Sequence, residues 1–390
     1  MHRQVTTREP EPGGRELKQA RKAAGCPAHG GRCRIPHHDV WQHPSGGHPG
    51  PWCTALSQLY AAVREVPKVD LHVHLEGAVC PYEPSRPWNS SVPCCQGAPH
   101  HYGQLTRVWM KHLERFRKHS EYLNAVISFG RHCACAGVIY AEASVSPINP
   151  MKSGLTAHEI FSALADGISA VRDNLKVELR FAIEFYRGAD PSLVMDMINA
   201  ARPFAGTTIV ALGASGWEDR GQLADYKELF EAGRELGLTI TPHAGEMVAR
   251  QSMIDALTVN PTRIKHGILD AHDDAIMNAV QSSNIALDVA ILSNLRLGVF
   301  SELRLHPLQH LLKRGIKCGL GSDDPAILGS EIAAEYVSAA LLGASPKEAS
   351  MTGIANSSLA GRARVHAGDL VEGFDWAGCE SAVARIRDFL

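Results

Sequence analysis

Several features that would assign a chain to a large functional class are missing from this sequence. No apolar run approaches the ~18 residues of a membrane span, and residues 1–50 contain no apolar stretch typical of a signal peptide. The formal net charge of -2 gives no basis for binding nucleic acid or a membrane surface. The ten cysteines are too few for a secreted disulfide framework, and Cys135 and Cys318 lie in apolar surroundings. We therefore expect reduced thiols and a cytoplasmic location.

Short catalytic motifs are missing as well. The sequence contains no Walker A loop, no His-Glu-x-x-His and no Gly-x-Ser-x-Gly. Phosphate-binding loops, metalloprotease helices and nucleophile elbows of the kinds that these motifs build are therefore excluded.

The sequence does contain a pair of histidines in an apolar, β-branched segment, Pro67–Ala78. In a β-strand, side chains two residues apart point to the same face, so His72 and His74 would project together. Imidazole is the commonest protein ligand for zinc and related metals. Because such a pair also occurs by chance on buried strands, the metal interpretation depends on residues farther along the chain.

The chain from Gly137 onward alternates short apolar, β-rich runs with amphipathic helical segments. Together with the strand of His72 and His74, this alternation predicts eight strands. The other seven predicted strands are Val138–Val145, Val177–Phe185, Thr208–Ser215, Leu238–Ala244, Arg263–Gly267, Ile285–Leu292 and Ile316–Ser322. Eight βα units are typical of an α/β fold of the TIM-type (β/α)8 barrel, in which the active site lies at the C-terminal ends of the strands.

The N-terminal part of the chain differs from this pattern. Residues 1–53 are rich in Pro, Gly, His and Arg and lack periodicity, so we predict a disordered leader followed by a barrel domain at 54–390. The cluster Cys26–His37 could bind a second zinc ion, but its spacing matches no standard finger, and a compositionally biased tail explains it as well.

Three further segments surround the histidine strand. Helical spacing of apolar residues predicts a helix at Ala55–Val66 that delivers the chain into this strand. The stretch Cys80–Tyr102 has no period and is predicted to be a loop or a disordered insertion. Leu105–Phe129 is predicted to be one helix, which either covers the site as a lid or belongs to the core.

Polar, ligand-type residues follow three of the other predicted strands. His243 and His266 end the fifth and sixth strands, and Asp323 follows the eighth. Together with His72 and His74, His243 and Asp323 provide a set of three imidazoles and one carboxylate that suits one zinc ion per chain and leaves a position for water. Such a metal would lower the pKa of its bound water to about 7. Each side chain could instead only satisfy backbone groups inside the barrel.

Proton transfer would need further groups near the same point. Glu246 lies three residues after His243 and is a candidate proton donor. His266 is a candidate base or electrostatic guide, which leaves His72, His74, His243 and Asp323 as the metal ligands.

These residues resemble the metal-dependent adenosine deaminase family of the amidohydrolase superfamily. The resemblance rests on the motif of Pro67–Ala78, His243-Ala244-Gly245-Glu246, His266-Gly267 and Ser322-Asp323-Asp324-Pro325. It extends from about Pro67 to Ala360. It implies the zinc ligands already named, Glu246 as the donor to a purine ring nitrogen and His266 as the group that orients or deprotonates water.

The resemblance also implies contacts with the substrate. Asp324 would contact the purine, Gly216 would offer its backbone to the ring, and Glu76 would face the sugar or its equivalent, with His74 beside the substrate as well. The implied activity is zinc-dependent hydrolytic deamination of adenosine or a close analogue in purine metabolism. Adenine or a modified adenine compound is the alternative substrate, and a purine-binding barrel or interaction scaffold without turnover is the alternative of another class.

Departures from the family pattern concern the substrate more than the chemistry. Ser144 stands where the family usually has an arginine, Trp217 follows Gly216 where an aspartate is usual, and Lys265 precedes His266 where a small residue is common. The cytidine type of zinc deaminase is excluded, because it requires a Pro-Cys-x-x-Cys that this chain lacks. The expected partner is a small purine molecule, and the sequence carries no signal for an oligomeric state.

Overall fold

Short parallel strands form the centre of the molecule. The structure is a computed structural model that describes residues 12–25, 41, 50–79 and 99–389. The strands are β1 Lys68–His74, β2 Val138–Val145, β3 Glu178–Tyr186, β4 Ile209–Ser215, β5 Thr239–Ile240, β6 His243–Ala244, β7 Arg263–His266, β8 Ala286–Val289 and β9 Lys317–Leu320. They pair in the orders β1-β2-β3-β4-β5 and β6-β7-β8-β9, always in parallel.

Backbone hydrogen bonds join the two sets of strands into a closed barrel. Strands β5 and β6 are the two halves of the predicted fifth strand, and between them the N–H of Thr241 donates to the Leu212 carbonyl at 2.9 Å. At the other seam, the N–H of Asp323 donates to the carbonyl of His72 and the N–H of His74 to that of Asp323, both at 2.8 Å. A Cβ at Gly321 would lie 2.3 Å from the Cβ of His72, so this seam requires glycine. The predicted α/β barrel is confirmed.

Helices surround the barrel. They are α1 Pro12–Ala23, α2 Gly50–Glu65, α3 Tyr102–Leu113, α4 His119–Ala136, α5 Ile148–Lys152, α6 Ala157–Leu175, α7 Pro191–Ala201, α8 Lys227–Glu235, α9 Gln251–Thr258, α10 Asp274–Ser282, α11 Ile291–Arg296, α12 Leu308–Lys313, α13 Pro325–Leu328, α14 Ile332–Leu341, α15 Pro346–Asn356, α16 Gly361–Glu372 and α17 Ala377–Arg387. Local hydrogen bonds determine where a helix begins. At the start of α6, Thr156 and Glu159 exchange side-chain and backbone hydrogen bonds in a capping box.

Two predicted elements end earlier than expected. The predicted helix Leu105–Phe129 is two helices, because the Glu121 carboxylate accepts the N–H groups of Arg117 and Lys118 and starts α4 there. The predicted strand Ile285–Leu292 ends at Val289. Beyond it, the buried Glu335 carboxylate accepts the N–H groups of residues 291 and 292, at 2.8 and 2.9 Å, and turns the chain into α11.

The predicted leader contains a helix. Helix α1 places Leu17 and Ala20, which are 6% and 4% exposed, against α4, α6 and α16, so residues 12–23 form a helix that the sequence analysis did not predict. Trp41 is 1% exposed and donates its indole N–H to the Ser338 hydroxyl at 2.9 Å. The apolar face of α1 is too short to stand out in the sequence. The cluster Cys26–His37 and residues 80–98 of the predicted insertion lie outside the described residues.

The cysteines of the described ranges are mostly free thiols. Cys133, Cys318 and Cys379 are free, whereas Cys135 is disulfide-bonded. The reduced state predicted for Cys135 is therefore wrong, because separation along the sequence does not determine which thiols meet in a fold. Within the same ranges, no helix combines the length and the apolar content needed to cross a membrane.

Candidate active site

The four predicted metal ligands converge at the C-terminal mouth of the barrel. The Nε2 atoms of His74 and His243 lie 3.3 Å apart. Oδ1 of Asp323 lies 3.4 Å from Nε2 of His72 and 3.5 Å from Nε2 of His74. All four side chains are buried. The alternation of strands therefore brings together side chains that are far apart in the sequence. His72 and Asp323 are separated by 251 positions (323 minus 72).

The far nitrogens of two of these rings are fixed by backbone carbonyls. Nδ1 of His72 donates to the Asp288 carbonyl at 3.0 Å, and Nδ1 of His243 donates to the Ala214 carbonyl at 3.1 Å. A carbonyl only accepts, so each ring carries its proton on Nδ1 and turns an unprotonated Nε2 toward the centre. These outer contacts set the tautomer that a metal ligand needs.

The donor set fits a divalent metal ion. Nε2 of His72 is buried without a hydrogen-bond partner, although it lies among the other donors. Burial lowers the pKa of His74 to about 4 and holds the pKa of His243 well below 6.5, so both rings are neutral at pH 7. Burial alone would raise the pKa of Asp323, but the histidine rings around the carboxylate outweigh burial and hold that pKa below its usual range, so the carboxylate is ionised. Neutral imidazoles and an ionised carboxylate are the forms that bind zinc.

Two residues of the site have a left-handed backbone. The φ angle is 67° at His266 and 59° at Asp323. Residues other than glycine seldom adopt this region, and the strain costs of order 1–3 kcal/mol at each position. The Ser293 hydroxyl donates to Oδ2 of Asp323 and holds the carboxylate in place.

The two residues predicted to transfer protons face each other beside the metal donors. Oε2 of Glu246 lies 3.5 Å from Nε2 of His266. Burial, with the charge of Asp323 next in size, raises the pKa of Glu246 well above 4.5, which favours the protonated form of its carboxyl. Burial also lowers the pKa of His266, whose Nδ1 lies 3.3 Å from the side-chain nitrogen of Asn294. The pair thus combines a carboxyl that is shifted toward its protonated form with a neutral imidazole.

A cavity of about 390 Å³ opens next to these groups. Its lining includes five residues that the sequence analysis named as candidates for metal binding, proton transfer or substrate contact: His74, Glu246, His266, Asp324 and Gly216. Small-molecule sites typically range from about 300 to 1,000 Å³. The cavity is therefore large enough for a small ligand.

The substrate-side residues are held in different ways. Burial, then the charge of Asp323, raises the pKa of Asp324, whose carboxyl also accepts a hydrogen bond from the indole N–H of Trp109. A Cβ at Gly77 would lie 1.8 Å from Oδ1 of Asp324, so glycine is required beneath this carboxyl. Glu76 does not line the cavity: it is fully buried and accepts the N–H of Ser146 at 3.0 Å.

Comparison with known proteins decides the family. The family model described as adenosine deaminase matches residues 67–361. This chain belongs to the adenosine deaminase family. It is therefore a hydrolytic deaminase, and the resemblance drawn from the sequence motifs is confirmed.

Individual relatives cover most of the deaminase. It is 32% identical over 318 residues to an aminodeoxyfutalosine deaminase of Acidothermus cellulolyticus, covering 75% of this chain and 88% of that protein. It is 31% identical over 281 residues to an adenine deaminase of Rhizobium leguminosarum bv. trifolii, covering 70% and 87%. The solved adenine deaminase of Arthrobacter aurescens has the same fold, with a TM-score of 0.70 at 19% identity over 79% of this chain and 98% of that one.

Several residues at the deaminase site were not predicted from the sequence. Tyr102, Trp109 and Trp217 form an aromatic wall of the cavity, and the rings of Tyr102 and Trp217 lie 5.0 Å apart, edge to face. Glu184 also lines the cavity, although it is fully buried on β3. A single carboxylate within the apolar run Phe181–Phe185 was the signal that could have indicated it, because charged residues are rarely buried without a partner.

Proposed function

We propose that this deaminase removes the exocyclic amine of an adenine ring as ammonia, with one zinc ion per chain. The observation that carries the proposal is the position of Glu246 and His266 beside three imidazoles and the Asp323 carboxylate. Binding alone would not require a carboxyl shifted toward its protonated form and a neutral imidazole next to a metal donor set. A purine-binding barrel without turnover is therefore less well supported.

The roles of the side chains follow from their protonation states. Zinc bound by His72, His74, His243 and Asp323 would supply a water molecule of lowered pKa. The Glu246 carboxyl would donate its proton to the ring nitrogen next to the carbon that is attacked. His266 would orient the attacking water.

Asp324 provides a further contact. Burial and the charge of Asp323 raise the pKa of its carboxyl and favour the protonated form, which would donate a hydrogen bond to a purine nitrogen. Gly216, with a φ of 87°, lies against the cavity without a side chain that would exclude the ring. Both residues would therefore hold the purine over the metal donors.

We further propose that the substrate is a modified adenine compound with an apolar or aromatic substituent, and not adenosine. The aromatic wall supports this, because a flat apolar group would stack on Trp109 or Trp217. The named activity of the 32% identical relative agrees with a modified adenine compound. Free adenine is the second candidate, because relatives of nearly equal identity are adenine deaminases.

Ammonia release from a small panel of amines tests both parts. The zinc-loaded protein is assayed with adenine, adenosine and an adenosine that carries an aryl group at its 5′ carbon. The aryl compound should give the highest kcat/KM, and Trp217→Ala should reduce that value at least tenfold more than it reduces the value for adenine. Leu305→Ala, at a side chain that is 50% exposed, serves as the control. Fastest turnover of adenosine would contradict the substrate proposal, and no ammonia from any amine would contradict the deaminase proposal.

A further inference from the structure

A charged cluster lies inside the barrel directly beneath the metal donors. It consists of Ser144 on β2, Glu184 on β3 and Lys265 on β7, and each side chain is at most 1% exposed. The Lys265 ammonium donates to Oε1 of Glu184 and to the Ser144 hydroxyl. The Ser144 hydroxyl donates to the same Oε1 at 2.8 Å. We call these three residues the interior cluster.

The interior cluster uses only one oxygen of its carboxylate. Oε2 of Glu184 is buried and makes no hydrogen bond. Nδ1 of His74 is also buried without a hydrogen-bond partner, and the two atoms lie 3.7 Å apart. A donor nitrogen and an acceptor oxygen, both without a hydrogen-bond partner, thus face each other. A small movement would bring them to hydrogen-bond distance.

The other two proposed histidine ligands each have a backbone acceptor for their outer nitrogen, and His74 has none. Nδ1 of His72 and Nδ1 of His243 donate to backbone carbonyls, whereas no carbonyl among the described residues accepts from Nδ1 of His74. A metal-binding histidine commonly donates its outer N–H to a carbonyl or a carboxylate, which fixes its tautomer and strengthens it as a ligand. At His74, the Glu184 carboxylate occupies the place of that acceptor.

We propose that Glu184 is a positioning residue for the metal site: it accepts the Nδ1 proton of His74 and thereby turns Nε2 of His74 toward the metal. Lys265 is the counter-ion that allows a carboxylate to lie at this depth. The proposal rests on the metal site put forward above. It assigns the Glu184 carboxylate as the hydrogen-bond acceptor behind His74, and an ion pair with Lys265 fixes this carboxylate in place.

The electrostatics of the interior cluster support an ionised Glu184. The Lys265 ammonium contacts Oε1 of Glu184 directly and is equally buried, so this ion pair favours the ionised carboxylate. An ionised carboxylate is the stronger acceptor for an imidazole N–H. Without Lys265, the same carboxylate would be an uncompensated buried charge.

The test separates positioning from simple packing. Glu184→Gln alone would leave Lys265 unpaired, so the informative variant is the double change Glu184→Gln with Lys265→Met, which keeps the net charge and nearly the same volume. Metal-free proteins are prepared with a chelator, and zinc affinity is measured by competition with a chromogenic chelator. Glu331→Gln is the matched control, because it converts another buried carboxylate, one that contacts Tyr60, to an amide.

The expected result is a zinc affinity weakened about 10- to 100-fold in the double variant and unchanged in Glu331→Gln. The melting temperature of the metal-free double variant should stay within a few degrees of that of the metal-free parent. Equal zinc affinity of the parent and the double variant would overturn the positioning role. Failure of the parent itself to bind zinc would instead overturn the metal site of the proposed function.

A second measurement needs no metal and no activity. Nitrogen chemical shifts of the His74 ring in the metal-free parent should show the proton on Nδ1. In Glu184→Asp, whose shorter side chain keeps the charge but withdraws it from the ring, the two tautomers should be populated more equally. An unchanged tautomer in Glu184→Asp would overturn the proposal even if the double variant did not fold.

Discussion

Replacement of Trp41 by alanine should destabilise the protein strongly, although this residue lies in a segment predicted to be disordered. The indole is 1% exposed, donates to the Ser338 hydroxyl and lies 6.1 Å from the ring of Tyr60. Removal of a buried aromatic side chain typically costs about 3–5 kcal/mol, and that range includes the cavity that it leaves. Loss of the hydrogen bond contributes about 1 kcal/mol. Because native proteins are stable by only about 5–15 kcal/mol, the loss is large.

Urea unfolding followed by circular dichroism measures this cost. Trp41→Phe should keep most of the packing and lose the hydrogen bond, so its cost should be clearly smaller than that of Trp41→Ala. Leu305→Ala, an exposed control, should change stability by less than about 0.5 kcal/mol. A cost below 1 kcal/mol for Trp41→Ala would refute the view that the leader is part of the folded unit. In that case a protein starting at Pro51 should fold as well as the full chain.

Three further predictions concern the site and the core. Glu246→Gln should retain zinc while kcat falls about 10²–10⁴-fold, because the amide cannot donate the carboxyl proton, and nearly full turnover would identify another donor. Asp323→Ala should lose both zinc and activity, and full zinc content by metal analysis would remove Asp323 from the ligand set. Burial raises the pKa of Glu331 to about 8 from 4.5, so the unfolded chain loses this proton at lower pH than the folded chain does. Stability should therefore fall as pH rises from 4.5 to 8, by at most about 5 kcal/mol at about 1.4 kcal/mol per unit, and Glu331→Gln should melt with a flatter pH dependence. An equally steep pH dependence of melting in that variant would contradict this assignment.

The barrel and its candidate metal donors could be predicted because they depend on local patterns. Apolar runs at strand length, separated by amphipathic helices, determine the number of parallel strands, and polar residues at strand ends must meet at one mouth. His72, His243 and Asp323 were found in this way, and their geometry agrees with the pattern. Strand alternation therefore carries most of the information about this site.

Contacts between distant side chains could not be predicted in the same way. Ser144 and Lys265 were each noticed as departures from a family pattern, but nothing in the sequence indicates that they touch the same carboxylate, Glu184. Likewise, the burial of Trp41 depends on α14, almost three hundred positions later in the chain. Such contacts form only when the barrel packs, and no periodic pattern in the sequence indicates them.

The left-handed backbone at His266 and Asp323 has a consequence for the evolution of this protein. Glycine at either position would relax the main chain, since only glycine adopts such φ angles without strain. The same exchange would remove an imidazole or a carboxylate that the proposed chemistry requires. Selection for thermal stability alone is therefore expected to enrich inert variants at these two positions, and laboratory evolution of a heat-resistant form should screen for turnover in every round.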